Sequence, residues 1–153
     1  MYLTQQQVRF FRDMGYLKIE DVVSLNDMEQ MSDVILQHIR ERIAPLRVDA
    51  VGTIYLLDQV MGRNPVFRKV FCSSTILNSL ESLLGPNIEL VLNRHNHATI
   101  NTREHTQFRL HRDILQWSRS LVTVIVFLDD ADLNNGCTHL IPGSHFLPFV
   151  GTP

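Results

Sequence analysis

The chain has little cysteine, no excess of either charge and no long apolar run, and each lack removes a class of protein. Its two cysteines, Cys72 and Cys137, stand far apart with no second thiol nearby. Neither a thiolate zinc site nor a disulfide framework can be built from them, and a reducing, cytoplasmic setting is expected. The 14 Lys and Arg residues face 16 Asp and Glu, for a formal net charge of −2. They are scattered, whereas nucleic-acid binders gather cations on one face, so no nucleic-acid partner is expected. The longest apolar run, residues 121–128 (LVTVIVFL), falls well short of the roughly 20 residues a bilayer crossing needs. The first twelve residues are polar and unlike a secretory leader. No membrane partner is expected, and no repeat or low-complexity tract breaks the chain. What remains is 153 residues, 44% hydrophobic and 20% charged, the make-up of one globular domain over residues 1–153.

The first part, residues 1–86, reads as helical. Thr4 and Gln7 have capping-box spacing, and Gly15 is placed to stop the helix they start. Ser24 and Asp27 open a second helix. Its apolar residues Leu25, Met28, Ile35, Ile39 and Ile43 recur at helical spacing until Pro45. Residues 73–84 form a third helix, with Ile76, Leu77, Leu80, Leu83 and Leu84 inward and Gly85-Pro86 behind it. Residues 87–153 change to β character. Residues 88–92 and 107–111 read as strands, and 121–128 reads as a strand buried on both faces. Asn134-Asn135-Gly136 is a turn, and 137–141 a short strand running into Pro142-Gly143. Helices first and strands after give an α+β chain whose helices brace a β-sandwich or barrel.

Chemistry concentrates in Phe108-Arg109-Leu110-His111-Arg112-Asp113. Residues two apart on a strand share a face, so His111 and Asp113 aim an imidazole and a carboxylate into one space. That pair, with open positions opposite, begins the two-His-one-carboxylate site of non-haem iron. The bare spacing is unspecific, since a chain of this composition holds a chance His-x-Asp in roughly one case in three.

The flanking order is specific. Trp117 follows, then the apolar run from Leu121, Asp129-Asp130-Ala131, Asn135-Gly136 and Pro142-Gly143-Ser144-His145. This order resembles the phytanoyl-CoA dioxygenase family, including its ectoine hydroxylase-like members. Phe11-Arg12-Asp13-Met14-Gly15-Tyr16-Leu17 is similar to that family's opening helix and strand, so the resemblance covers nearly the whole chain. It implies a double-stranded β-helix, a jelly-roll, braced by the N-terminal helices. It implies Fe(II) and 2-oxoglutarate as cofactors, dioxygen as oxidant, and hydroxylation of an unactivated C–H bond in a small-molecule substrate, with succinate and carbon dioxide released. A carboxylate at Asp113 goes with hydroxylation, since halogenating relatives carry a small residue there.

The resemblance also implies lesser roles. Thr123, thirteen residues before Gly136, stands where a small hydroxyl residue lies near 2-oxoglutarate, and Asn96 in Arg94-His95-Asn96 is similar to an element that helps hold it. Phe108 would pack beside the same ligand, and Trp117 would flank substrate or co-substrate. Equally open is the plain reading, with Phe108 and Trp117 as core aromatics and Asn96 and Thr123 satisfying backbone groups. His95, His97 and His105 read as polar strand or rim residues, His38 as a helix-surface residue, and His145 as part of a loop-shaping turn away from iron; His139 is undecided.

The family pattern continues with further strands, a second iron-binding His and an Arg for the distal carboxylate of 2-oxoglutarate. None occurs before Pro153. The expectation is therefore a truncated jelly-roll, inactive alone and self-associating through an exposed sheet. The alternatives are a non-catalytic jelly-roll binding module, or a cupin-like metalloenzyme that does not use 2-oxoglutarate.

Overall fold

A computed structural model describes residues 2–100, 111 and 120–147. Helix α1 (Gln5–Met14) begins as its sequence dictates. The Thr4 side chain accepts from the Gln7 N–H while the Gln7 side chain accepts from the Thr4 N–H, and Gly15 closes the helix in the left-handed region, φ 82°. Helix α2 (Leu25–Arg40) starts on Ser24, whose side chain accepts from the Asp27 N–H. It ends on Glu41, before the predicted stop at Pro45, so Ile43 is not on the helix. The buried stripe is also displaced. Met31 is the residue sealed in the core, 1% exposed, while Leu25 projects into solvent from the first turn.

The expectation that residues 1–86 are wholly helical is corrected by a hairpin. Strand β1 (Leu46–Val48) pairs antiparallel with β2 (Ile54–Asp58), Leu46 opposite Leu57 and Arg47 opposite Leu56. The turn between them is built on Asp49, whose carboxylate accepts from the Val51 and Thr53 N–H groups at 2.9 and 2.7 Å, with Gly52 at φ 86°. Two short helices follow, α3 (Val60–Arg63) and α4 (Pro65–Phe71). Asn64 caps α4 and Pro65 occupies its first turn, where a missing N–H costs nothing. Helix α5 (Ser74–Leu84), capped by Ser73, falls where the sequence places it.

Strand β3 (His97–Thr99) adds antiparallel to the other edge of β2, giving a three-stranded sheet in the order β1-β2-β3. Leu57, 0% exposed, lies on the central strand. The core proper is helical, with Met31 of α2 packed against Val60, Met61, Val66, Phe67, Val70 and Ile76. The chain is thus α+β, with five helices and one small antiparallel sheet among the described residues.

The predicted strands at 88–92, 121–128 and 137–141 are corrected: none forms a ladder among the described residues. Apolar, β-branched sequence prefers extended backbone, but a strand exists only where a neighbour supplies the facing hydrogen bonds. Residues 121–128 are also covered on one side only. Val126 and Leu128 pack on the helical core, while Leu121, Ile125 and Phe127 are 41%, 56% and 49% exposed. The turn prediction stands: the Asp132 carboxylate accepts from the N–H groups of Asn134 and Asn135, and Gly136 takes φ 87°. The strand prediction at 107–111 lies outside the described residues except for His111.

Candidate metal centre

His111 is described and exposed. Asp113, Phe108, Trp117 and His105 lie outside the described residues, so the spacing of the predicted imidazole–carboxylate pair rests on sequence. Among the described residues, no three His, Cys, Asp or Glu side chains are grouped to hold a metal ion. One imidazole and one carboxylate fit Fe(II) in kind, because both are ligands of the two-His-one-carboxylate set. In number they leave that set one donor short.

Asn96 is at the junction of α3 and β3. Its side-chain oxygen accepts from the Met61 N–H at 3.0 Å and its amide nitrogen donates to the Leu92 carbonyl at 3.2 Å. Its own carbonyl accepts from the Val60 N–H at 3.3 Å. Asn96 therefore closes the first turn of α3, the backbone-satisfying role. A carboxamide offers two donors and two lone pairs, so one of each exceeds these bonds. Thr123 is exposed, on the same side of its segment as Ile125 and Phe127.

The remaining histidines sort by partner. His95 has φ 50°, and its ring lies 5.7 Å from that of His97. His97 stands opposite Asp58 in the β2–β3 register. The Arg47 guanidinium bonds both carboxylate oxygens of Asp58 at 2.9 Å and is the main cause of its carboxyl lying below the usual range. Burial opposes that effect, and His97 adds to it more weakly. His139 has its Nε2 3.7 Å from the Cys137 sulfur.

His38 is not a surface residue. It is half-buried, with Nδ1 2.7 Å from the Arg63 guanidinium; arginine can only donate, so Nδ1 accepts and the ring proton sits on Nε2. Arg63 also donates to the carbonyls of Asp58 at 2.8 Å, Ile43 at 3.1 Å and Pro45. Burial pulls its pKa below the ordinary arginine value, with Asp58 opposing. One side chain thus ties α3 to the end of β2 and to the segment between α2 and β1. Sequence reasoning missed it, and no local signal marks an arginine whose partners are carbonyls 5, 18 and 20 residues away.

A second junction joins two motifs that the sequence showed only separately. His145, in a 3₁₀ turn (Ser144–Phe146), donates from Nε2 to the Arg12 carbonyl at 2.8 Å, and the Gly143 N–H donates to the Met14 carbonyl at 2.9 Å. Both acceptors are carbonyls that the last turn of a helix leaves without partners inside it. The Pro-Gly-Ser-His turn thus caps α1, and His145 makes that contact through its Nε2.

Comparison with known proteins follows this geometry. A family model described as phytanoyl-CoA dioxygenase (PhyH) matches residues 11–149. Two relatives named "Phytanoyl-CoA dioxygenase, peroxisomal" are 24% identical (Bos taurus) and 25% identical (Mus musculus), each over 94% of this chain and 48% of its own length. The chain spans about half the length of the curated relatives it matches. It matches no solved structure. No described helix is long and apolar enough to cross a membrane.

Proposed function

The chain belongs to the phytanoyl-CoA dioxygenase family, and from that premise we propose that it carries part of the iron centre of an Fe(II)- and 2-oxoglutarate-dependent dioxygenase. The reaction proposed is hydroxylation of an unactivated C–H bond in a small molecule. The observation that carries this reading is His111-x-Asp113 lying, in the family's motif order, inside the matched span 11–149.

His111 and Asp113 would hold the metal. When bound, the group supplies activation of dioxygen with decarboxylation of 2-oxoglutarate to succinate. The chain's own residues bind and orient. The His111 imidazole and the Asp113 carboxylate would supply two of the metal's ligands, with the co-substrate completing the set. Asn96, held at both ends of its carboxamide, is a rigid donor for 2-oxoglutarate, which is the preorganisation such a site needs. The Thr123 hydroxyl is a second polar contact to it. Phe108 would pack beside the co-substrate, and Trp117 would flank the substrate or co-substrate.

Residues 1–153 are proposed to form one α+β domain that belongs to a double-stranded β-helix. The compartment proposed is the cytoplasm, where Cys72 and Cys137 stay as thiols; the named relatives are peroxisomal. The substrate class is a small molecule, and the relatives' names assign phytanoyl-CoA to them alone.

The test is Fe(II) affinity and succinate release from 2-oxoglutarate, measured on the full-length protein and on His111→Ala and Asp113→Ala. Both activities are expected to vanish in either variant while the fold persists. Succinate release surviving both changes would remove the assignment. Iron binding without succinate release would point to a cupin-like enzyme, and neither activity would leave a jelly-roll binding module.

A further inference from the structure

Away from the iron-site residues, α1 and α5 flank a cavity of about 410 Å³ that is widely open to solvent. Arg9 and Arg12 of α1 line it together with Leu3, Val8 and Ser82. Three residues apart on a helix, the two arginines are neighbours on one face. Among the described residues neither guanidinium has an ion pair or hydrogen bond, although Asp13 follows Arg12 directly and Glu81 precedes Ser82. Arg47 is bonded to Asp58, Arg63 to three carbonyls and Arg68 to the Met61 carbonyl; Arg40 is, among the described residues, as free of such bonds as Arg9 and Arg12 but lies outside the cavity. We propose that this cavity is a binding site for a phosphate monoester, with Arg9 and Arg12 converging on the phosphate.

Charge selects the ligand class. A carboxylate carries one charge and is satisfied by a single guanidinium fork, whereas a phosphate monoester carries close to two and presents three acceptor oxygens. Two arginines one turn apart match the second case. Leu3 and Val8 give the ester's organic portion an apolar wall. Ser82 is not a ligand donor, because its hydroxyl donates to the Asn78 carbonyl at 2.8 Å and accepts from the Leu3 N–H at 3.2 Å. It holds the cavity's edge in place. The far end of α1 is held by His145 and Gly143, so the helix bearing both arginines is fixed at its two ends. A wall ordered before binding loses less entropy when the ligand arrives.

The experiment is calorimetric titration of the chain with phenyl phosphate, benzoate and inorganic phosphate, without iron or 2-oxoglutarate. Phenyl phosphate is expected to bind, and binding should weaken about tenfold or more in Arg9→Gln/Arg12→Gln. It should be unchanged in Arg40→Gln, an exposed arginine of α2 outside the cavity. The single variants Arg9→Gln and Arg12→Gln are each expected to show part of the loss, which decides the matter if the double variant fails to fold. Three results would overturn the proposal: no binding of phenyl phosphate, undiminished binding in the arginine variants, or equal binding of benzoate or inorganic phosphate. Since the assay contains neither iron nor 2-oxoglutarate, its failure and that of the dioxygenase reading are separate results.

Discussion

Gly15 shows how one residue answers to two parts of the chain at once. Its φ of 82° lies in the left-handed region, and a Cβ added there would sit 3.0 Å from Cγ and Cε1 of the His145 ring and closer still to Nδ1. Gly15→Ala therefore meets a backbone penalty of about 1 kcal/mol and a steric one that depends on residue 145. Denaturant unfolding of Gly15→Ala is expected to show a loss of about 2 kcal/mol or more. In a His145→Ala background the same change should cost only about 1 kcal/mol, because the clash is gone and the backbone strain remains. Equal costs in both backgrounds would mean that the ring does not press on Gly15.

At the scale of elements, the three-stranded sheet is fastened to the helices by hydrogen bonds from two side chains. Asn96 joins β3 to α3, and Arg63 joins α3 to β2 and to the segment entering β1. A half-buried guanidinium with these partners cannot be replaced by its apolar outline, since the Ile43 and Asp58 carbonyls would lose this donor and Pro45 would keep only the Asp58 N–H. Arg63→Met is expected to lower stability by about 2–3 kcal/mol. Arg63→Lys should recover little of that, because an ammonium on a flexible stem cannot reproduce the planar fork. The check is the midpoint of denaturant unfolding of the three proteins. A lysine variant as stable as the wild type would mean that charge alone, rather than geometry, holds the junction.

For the whole molecule, the exposed apolar side of residues 121–128 is expected to govern self-association. Leu121, Ile125 and Phe127 are exposed on one side of this segment, with the hydroxyl of Thr123 between the first two, and segments that expose apolar side chains in this way pair or aggregate. The chain of 153 residues is expected to sediment as associated species, and Ile125→Glu/Phe127→Glu to shift it toward monomer at equal concentration. Both residues point away from the core face formed by Val126 and Leu128, so the substitutions should leave helix content unchanged by circular dichroism. A wild-type chain that sediments as a monomer at all concentrations would refute the role given to this strip.

What the sequence determined by itself was whatever is settled within a few residues. Thr4, Ser24, Ser73 and Gly15 mark helix ends through bonds to backbone groups within four positions, and Asp132 and Gly136 make their turn the same way. The order of motifs from Phe11 to His145 marked the family in the same linear fashion. Tertiary structure decided what depends on a distant partner. Met31, outside the recurring apolar positions, is the buried residue of α2 while Leu25 is exposed, because burial follows the position of α4 and not the mere recurrence of apolar residues. Strand β3 formed at 97–99 and not at 88–92 because only there does β2 present a facing edge. His38 and His145 became hydrogen-bond partners of groups 25 and 133 residues away, a choice that no local pattern encodes, since a histidine carries the same imidazole whichever atom meets it across the fold.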